Sequence, residues 1–211
     1  LKTDDLIALL AQDAPLTARL GDRLRLGVLA ALLLAGLLFG AAIGVRPDLG
    51  AAMASDRFLF KFVVTIALTV SAGILVFRIG RPGVPLRVPA WWLLSPLVLA
   101  VAAALAELLA VPSDAWGARM IGENASHCLT MIPLLSIVPL ACLLHALRYG
   151  APERPGLAGA VAGLFASGIA ATLYASSCTD DSPLFILLWY PMAIALVTVA
   201  GWLAGRRLLQ W

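Results

Sequence analysis

Residues 26–45 read LGVLAALLLAGLLFGAAIGV, twenty residues without a charge, and Arg46-Pro47-Asp48 closes the run. As an α-helix rising about 1.5 Å per residue, such a stretch matches the roughly 30 Å hydrocarbon layer of a bilayer. Helix is the conformation it must take there, because lipid offers the backbone no hydrogen-bond partner and a helix satisfies its own amides and carbonyls. The run is longer than the usual core of about 7–15 apolar residues in a cleavable signal. It is therefore expected to remain as a first membrane span.

The pattern recurs over about 58–77, 88–109, 127–147, 157–176 and 184–204. The expected fold is all-α: a polytopic membrane helical bundle of six transmembrane helices over residues 26–211, preceded by a head over residues 1–25. Composition agrees, since the 211 residues are 62% hydrophobic and 13% charged, against about 45–50% and about 25% in soluble domains. The formal net charge of +3 does not point to nucleic acid. The basic residues cluster at the ends of apolar runs, where membrane topology explains them. Three cysteines are too few for a disulfide scaffold. No nucleotide-binding loop, HExxH pair or nucleophile elbow occurs, so neither an enzyme nor a resident cofactor is expected.

Six spans place both termini on one side. That side carries Lys2, Arg19, Arg23, Arg25, Arg78, Arg81, Arg87, Arg148, Arg154, Arg206 and Arg207, eleven in all. The other carries four, Arg46, Arg57, Lys61 and Arg119. The positive-inside bias then makes both termini cytoplasmic and turns the loops 46–57, 110–126 and 177–183 outward.

Within the spans, Lys61 is expected to snorkel outward from the start of the second, and Trp91-Trp92 to mark the interface at the third. Glu107 is expected near the interface, solvated. Pro133 and Pro139 lie inside the fourth span and can bend it. Gly159 and Gly163 form a GxxxG in the fifth, which permits close packing, within the chain rather than between copies. His145 is expected to cap its helix or snorkel.

The head differs in kind. Residues 2–15 read KTDDLIALLAQDAP, a short amphipathic helix in which Thr3 can cap, Asp4 and Asp5 suit the positive end and Pro15 stops. Leu6, Ile7, Leu9 and Leu10 share one side. So short a helix is marginal alone and needs a partner. Surface helices that bind membrane lipid usually present a basic polar face, whereas Asp4, Asp5 and Asp13 make this one acidic. A protein partner is favoured over the bundle's own loops, with Thr3, Asp4, Asp5, Leu6, Ile7, Leu9 and Leu10 as the contact.

Cys128 and Cys178 stand at the outer ends of the fourth and fifth spans. His127 precedes the first, and Asp180 and Asp181 follow the second. Thiolate, imidazole and carboxylate can complete a tetrahedral site for a thiophilic ion, so these five residues are the candidate metal set, binding at most transiently. A disulfide between the two cysteines is an equal alternative in an oxidising compartment. Cys142 lies about 21 Å along the fourth helix from Cys128 and can pair with neither.

Several stretches together resemble the NrsF-like proteins: Lys2-Thr3-Asp4-Asp5-Leu6-Ile7, Arg46-Pro47-Asp48, Ser126-His127-Cys128-Leu129, the run from Tyr174 to Cys178 with Asp180-Asp181-Ser182 after it, and the closing Trp211. That resemblance implies a bacterial six-span inner-membrane anti-sigma factor. Such a protein holds an extracytoplasmic-function sigma factor away from RNA polymerase. It also implies that the outer cysteines, matching Cys128 and Cys178, take part in a response to heavy metals. The competing readings are a thiol-disulfide membrane oxidoreductase, which needs a reactive pair able to exchange with partners, and a small-molecule transporter, which needs polar groups at the midplane.

Overall fold

A computed structural model describes residues 20–81, 83, 84 and 90–210. The expected contacts of the head, Thr3, Asp4, Asp5, Leu6, Ile7, Leu9 and Leu10, lie outside the described residues, as does the start of the expected third span. Among the described residues there are eight α-helices and no strand. They are α1 (Leu20–Ala42), α2 (Leu49–Ala52), α3 (Asp56–Ile79), α4 (Leu94–Ala110), α5 (Trp116–Ile121), α6 (Ala125–Leu147), α7 (Pro155–Ala175) and α8 (Pro183–Leu208), with one 3-10 turn, Ser113–Ala115, before α5.

Helix boundaries follow local chemistry. α7 and α8 each open on a proline, which suits a first turn that has no use for its N–H. Ser182 caps α8 by accepting from the Leu184 amide at 3.3 Å. α6 remains helical through both Pro133 and Pro139. Gly122, just before α6, has φ +61°, and a β-carbon there would lie 2.5 Å from the Phe185 ring. Only glycine fits that turn.

Among the described residues, five helical segments are long and apolar enough to cross a membrane: α1, α3, α6 with the turns before it, α7 and α8. The sixth, α4, is apolar but has 17 residues. The first expected span shifts by several residues, because α1 starts at Leu20 and ends at Ala42. Asp22, Arg23 and Arg25 therefore ride on its first turns rather than in the head.

α7 is the axis of the bundle. Of its most apolar stretch 67% is buried, against 22% for α1 at the periphery. It packs on α8, α3, α6 and, more lightly, α1. Small residues allow this. A β-carbon on Gly159 would overlap the Gly201 carbonyl of α8, one on Gly163 would lie 2.7 Å from the Val197 carbonyl, and one on Gly168 would lie 2.7 Å from the Thr69 hydroxyl of α3. The GxxxG thus packs within the chain, as expected. Lipid tails are as apolar as leucine, so such backbone approach, rather than exclusion of water, is what holds helices together in a bilayer. The outward faces carry exposed Leu29, Leu33, Leu37, Val63, Val70 and Val199.

The core has two parts. At one end Leu24, Ile79, Leu147, Ala158 and Leu209 cluster, so the start of α1 and the end of α8 lie together. At the other end Phe39, Cys128, Ile132, Tyr174, Cys178, Phe185 and Tyr190 cluster beneath the connections 43–48, 122–124 and 176–182.

Two expectations fail there. Lys61 does not snorkel: its side chain is fully buried, because Asp181 and main-chain carbonyls reach it from above α7. Glu107 is not solvated: it is 5% exposed, clamped between Arg57 at 2.9 Å and Arg119 at 2.5 Å. His145 turns its ring edge-on to Tyr149, centroids 5.5 Å apart.

Candidate functional site

The connection 176–182 is the hub of the cysteine end, and three segments hold it. From α3, Lys61 Nζ donates to the Cys178 carbonyl at 2.8 Å and pairs with the Asp181 carboxylate at 2.5 Å. From the 43–48 connection, the Arg46 amide donates to the Ser176 carbonyl at 3.1 Å, and its guanidinium reaches Asp181 at 3.0 Å. From the start of α6, the Asn124 amide donates to the Asp180 carboxylate at 2.8 Å and the Glu123 amide at 3.1 Å. The Asn124 side chain adds bonds to Asp180 at 3.0 Å and Thr179 at 2.9 Å. Asp180 thereby sits at the positive end of α6 and satisfies amides that the helix leaves free.

Charge in this cluster balances. Arg46 also grips Asp48 at 2.6 Å, so Lys61 and Arg46 face Asp48 and Asp181. Phe58 lies under both cations, 5.2 Å from Lys61 Nζ and 5.6 Å from the guanidinium carbon of Arg46. The hydrogen bond from Arg46 holds the Asp48 carboxyl below its ordinary value. Asp48, aided by Asp181 and opposed by burial, raises Arg46 further above its already high value.

Below this charged layer lie the thiols. Cys128 is one turn into α6 and wholly buried, Cys178 follows α7 and is 2% exposed, and both belong to the apolar cluster with Tyr174, Tyr190 and Phe185. Both are free, as is Cys142. Burial pushes the Cys178 thiol above its ordinary value, while the Lys61 ammonium pulls it back. The Cys178 Sγ has a weak contact to the Asp180 carbonyl at 3.9 Å and a hydrogen bond with the Tyr174 hydroxyl. The Tyr190 hydroxyl is buried without a hydrogen-bond partner among the described residues.

The five candidate ligands divide into three groups. Cys128 and Cys178 share the dry cluster. Asp180 and Asp181 are engaged by the Asn124 and Glu123 amides and by Lys61 and Arg46. His127 is exposed, on another face of α6 from buried Cys128. Among the described residues no three His, Cys, Asp or Glu side chains converge to hold a metal ion. What fits a soft ion here is the thiol pair alone, which would have to shed its protons to bind. Thiols so sheltered are poor partners for disulfide exchange.

Lys61, Arg46 and Asn124 are the site residues that the sequence reading missed. A lysine inside an apolar run, with two aspartates on a loop facing the same side, was the available signal, because a charge at membrane depth calls for a named partner.

The family model described as negative regulator of sigma F, NrsF, matches residues 10–211. Over 217 aligned residues the chain is 37% identical to the anti-sigma-F factor NrsF of Caulobacter vibrioides (strain NA1000 / CB15N), covering 100% of both chains. It is 32% identical, again covering 100% of both, to the probable anti-sigma-F factor NrsF of Azospira oryzae (strain ATCC BAA-33 / DSM 13638 / PS). No solved structure matches it. With the family model matching nearly the whole chain and both relatives covered end to end, the chain belongs to the NrsF family of negative regulators of sigma F.

Proposed function

We propose that this chain is an anti-sigma factor embedded in the bacterial inner membrane. It holds a sigma factor of the extracytoplasmic-function class at its cytoplasmic end and releases it when Cys128 and Cys178, at the periplasmic end, meet a heavy metal or an oxidant. The observation that carries the regulatory role is full-length similarity to two proteins named as anti-sigma-F factors. Neither chemistry nor cofactor is required for that role.

Membrane embedding is supported by the long apolar helices and their exposed aliphatic faces. α4 serves as the sixth span, since its 17 residues reach about 25 Å, near the lower limit for crossing. Orientation is supported by how the charges are used. Every basic residue at the cysteine end has a carboxylate partner: Arg46 with Asp48 and Asp181, Lys61 with Asp181, Arg57 and Arg119 with Glu107. At the opposite end, among the described residues, only Arg25 has one, Asp22. The unneutralised positive charge therefore lies at the end that also carries the first and last helix termini, the arrangement expected of a cytoplasmic face.

The input works through the buried layer. Cys128 and Cys178 release two protons when they take up a divalent thiophilic ion, so the net charge of the site is conserved. The ion-bound thiolate sulfurs accept hydrogen bonds more strongly than the thiols did and compete with Asp181 and the Cys178 carbonyl for Lys61. Loss of that clamp frees the 176–182 connection from α3, and α7, the axis of the bundle, carries the change to the other end. The head, residues 1–25, contacts the sigma factor through Thr3, Asp4, Asp5, Leu6, Ile7, Leu9 and Leu10. Release requires that the signalled state bind sigma more weakly; going from mostly bound to mostly free needs about 5 kcal/mol of differential affinity.

The test is sigma-dependent transcription in cells carrying Cys128→Ser with Cys178→Ser, with and without cadmium or zinc. Basal repression with lost induction is expected; unchanged induction would sink the sensor role. In a companion pull-down from membranes, deletion of residues 1–19, which spares α1, is expected to abolish sigma retention. Retention without the head would remove the head from the mechanism.

A further inference from the structure

At the end of the bundle opposite the cysteines, two grooves flank α6 and share His145. One, about 220 Å³, runs between α1 and α6 along Gly27, Ala30 and Cys142 and is topped by Arg23, His145 and Tyr149. The other, about 360 Å³, lies on the far side of α6 along Leu140, Ala141 and Leu208 and is topped by His145 and Arg148. Both are apolar below and basic above. The first exists because Gly27 lets α1 approach α6 closely: a β-carbon there would lie 2.8 Å from the Ala146 side chain and 3.3 Å from the Cys142 carbonyl.

Among the described residues, the arginines at this rim lack carboxylate partners. Arg23 stacks over the Tyr149 ring at 4.7 Å, and its Nε is buried without a hydrogen-bond acceptor among the described residues. Neither Arg23 nor Arg148 has an ion pair among the described residues. Tyr149 holds the guanidinium in place and also meets the His145 ring, so Arg23, Tyr149 and His145 form one connected surface. A buried guanidinium N–H with no acceptor is costly to leave unmet.

We propose that this rim binds the phosphate of one anionic phospholipid, whose acyl chains lie in the grooves on either side of α6. The charge complementarity selects an anion, and the apolar floors select a lipid over a free phosphate. Basic pockets between transmembrane helices are the usual form of such sites. This site depends on the membrane embedding proposed above. It would fix α1 against α6 at the end from which the head extends.

The test uses the full chain purified in mild detergent, with native mass spectrometry to count retained lipid. The probes are phosphatidylglycerol, phosphatidylcholine and inorganic phosphate. The wild type is expected to retain phosphatidylglycerol in preference to phosphatidylcholine, and millimolar phosphate is expected not to displace it. Arg23→Gln should weaken that retention about fivefold, the effect of one basic group near an anionic headgroup. Ala30→Leu, which fills the first groove without touching the charge, should weaken it independently. Arg25→Gln, whose partner is Asp22 on an exposed face, serves as the unaffected control. Equal retention by wild type and both groove variants would overturn the proposal, as would displacement by phosphate. Alkaline carbonate extraction separates the two readings. A chain released from membranes overturns both, whereas a chain that stays but retains lipid regardless of Arg23 overturns only the lipid site.

Discussion

Lys61 Nζ lies 2.5 Å from Asp181 Oδ1, joining α3 to the connection after α7, with the lysine fully buried and the aspartate 22% exposed. Removing one partner of a buried pair costs more than the pair was worth, because the other is left charged and dry. Lys61→Met leaves Asp181 with Arg46 alone and deprives the Cys178 carbonyl of its shorter bond. The expected loss is about 3 kcal/mol, toward the lower end for such a deletion because Arg46 remains. Combining Lys61→Met with Asp181→Asn should cost less than the sum of the two, by about 1 kcal/mol or more. Unfolding midpoints in detergent for the two single variants and the double check this; strict additivity would mean that the pair is not coupled.

Glu107 obeys the same logic with the asymmetry reversed. The carboxylate is the buried member, while Arg57 and Arg119 are 45% and 35% exposed. Glu107→Gln releases two arginines that can turn to water, a loss of about 1 kcal/mol. Arg57→Gln with Arg119→Gln strands the carboxylate and should cost about 3–5 kcal/mol. The double arginine variant should therefore unfold well before Glu107→Gln on thermal ramps, and limited proteolysis should cut its 111–121 connection first.

Most of the helical architecture was legible from apolar run length alone, because a run that must satisfy its own backbone leaves little choice. The runs from 127, 157 and 184 correspond to α6, α7 and α8 within a few residues at each end, except that α8 extends to Leu208. The GxxxG of Gly159 and Gly163 was readable for the same local reason. What escaped were long-range polar pairings. Lys61 lies 120 positions from Asp181, and no periodicity connects them. A lysine side chain is long enough either to snorkel or to turn inward, and only the position of the 176–182 connection decides. Glu107 likewise depends on Arg57 and Arg119 arriving from separate elements. The cysteines were found because thiols are rare in the chain. Their burial was not, because it is set by Tyr174, Tyr190 and Phe185 from neighbouring helices.

The glycine seam between α7 and α8 should tolerate nothing larger, while glycines facing outward should. A β-carbon on Gly159 would overlap the Gly201 carbonyl, whereas one on Gly36 meets nothing within 4 Å. Gly159→Leu is expected to prevent folding of the bundle, read as loss of the monodisperse species on size exclusion. Gly36→Ala is expected to raise the unfolding midpoint, by about 0.5–1 kcal/mol from helix propensity. A tolerated Gly159→Leu would place α7 and α8 farther apart than described.

The thiols should separate by reactivity and by pH. Cys142 is half-buried in a groove, while Cys128 and Cys178 are enclosed. N-ethylmaleimide added to the folded protein at neutral pH should therefore label Cys142 first and leave the other two until the chain is unfolded, as read by peptide mass spectrometry. Burial also raises the Cys178 pKa in the folded state. An unfolded thiol ionises near pH 8.5. Between that value and the higher folded one, the unfolded chain has lost a proton that the folded chain keeps, so raising the pH favours unfolding. The stability contributed by protonated Cys178 is thus complete below about pH 8.5 and declines as the pH climbs through it. The unfolding midpoint of the wild type should fall more steeply from about pH 8 to 10 than that of Cys178→Ser, which has no thiol to ionise. Parallel curves for the two, or early labelling of Cys178, would show that the thiol is open to water at rest.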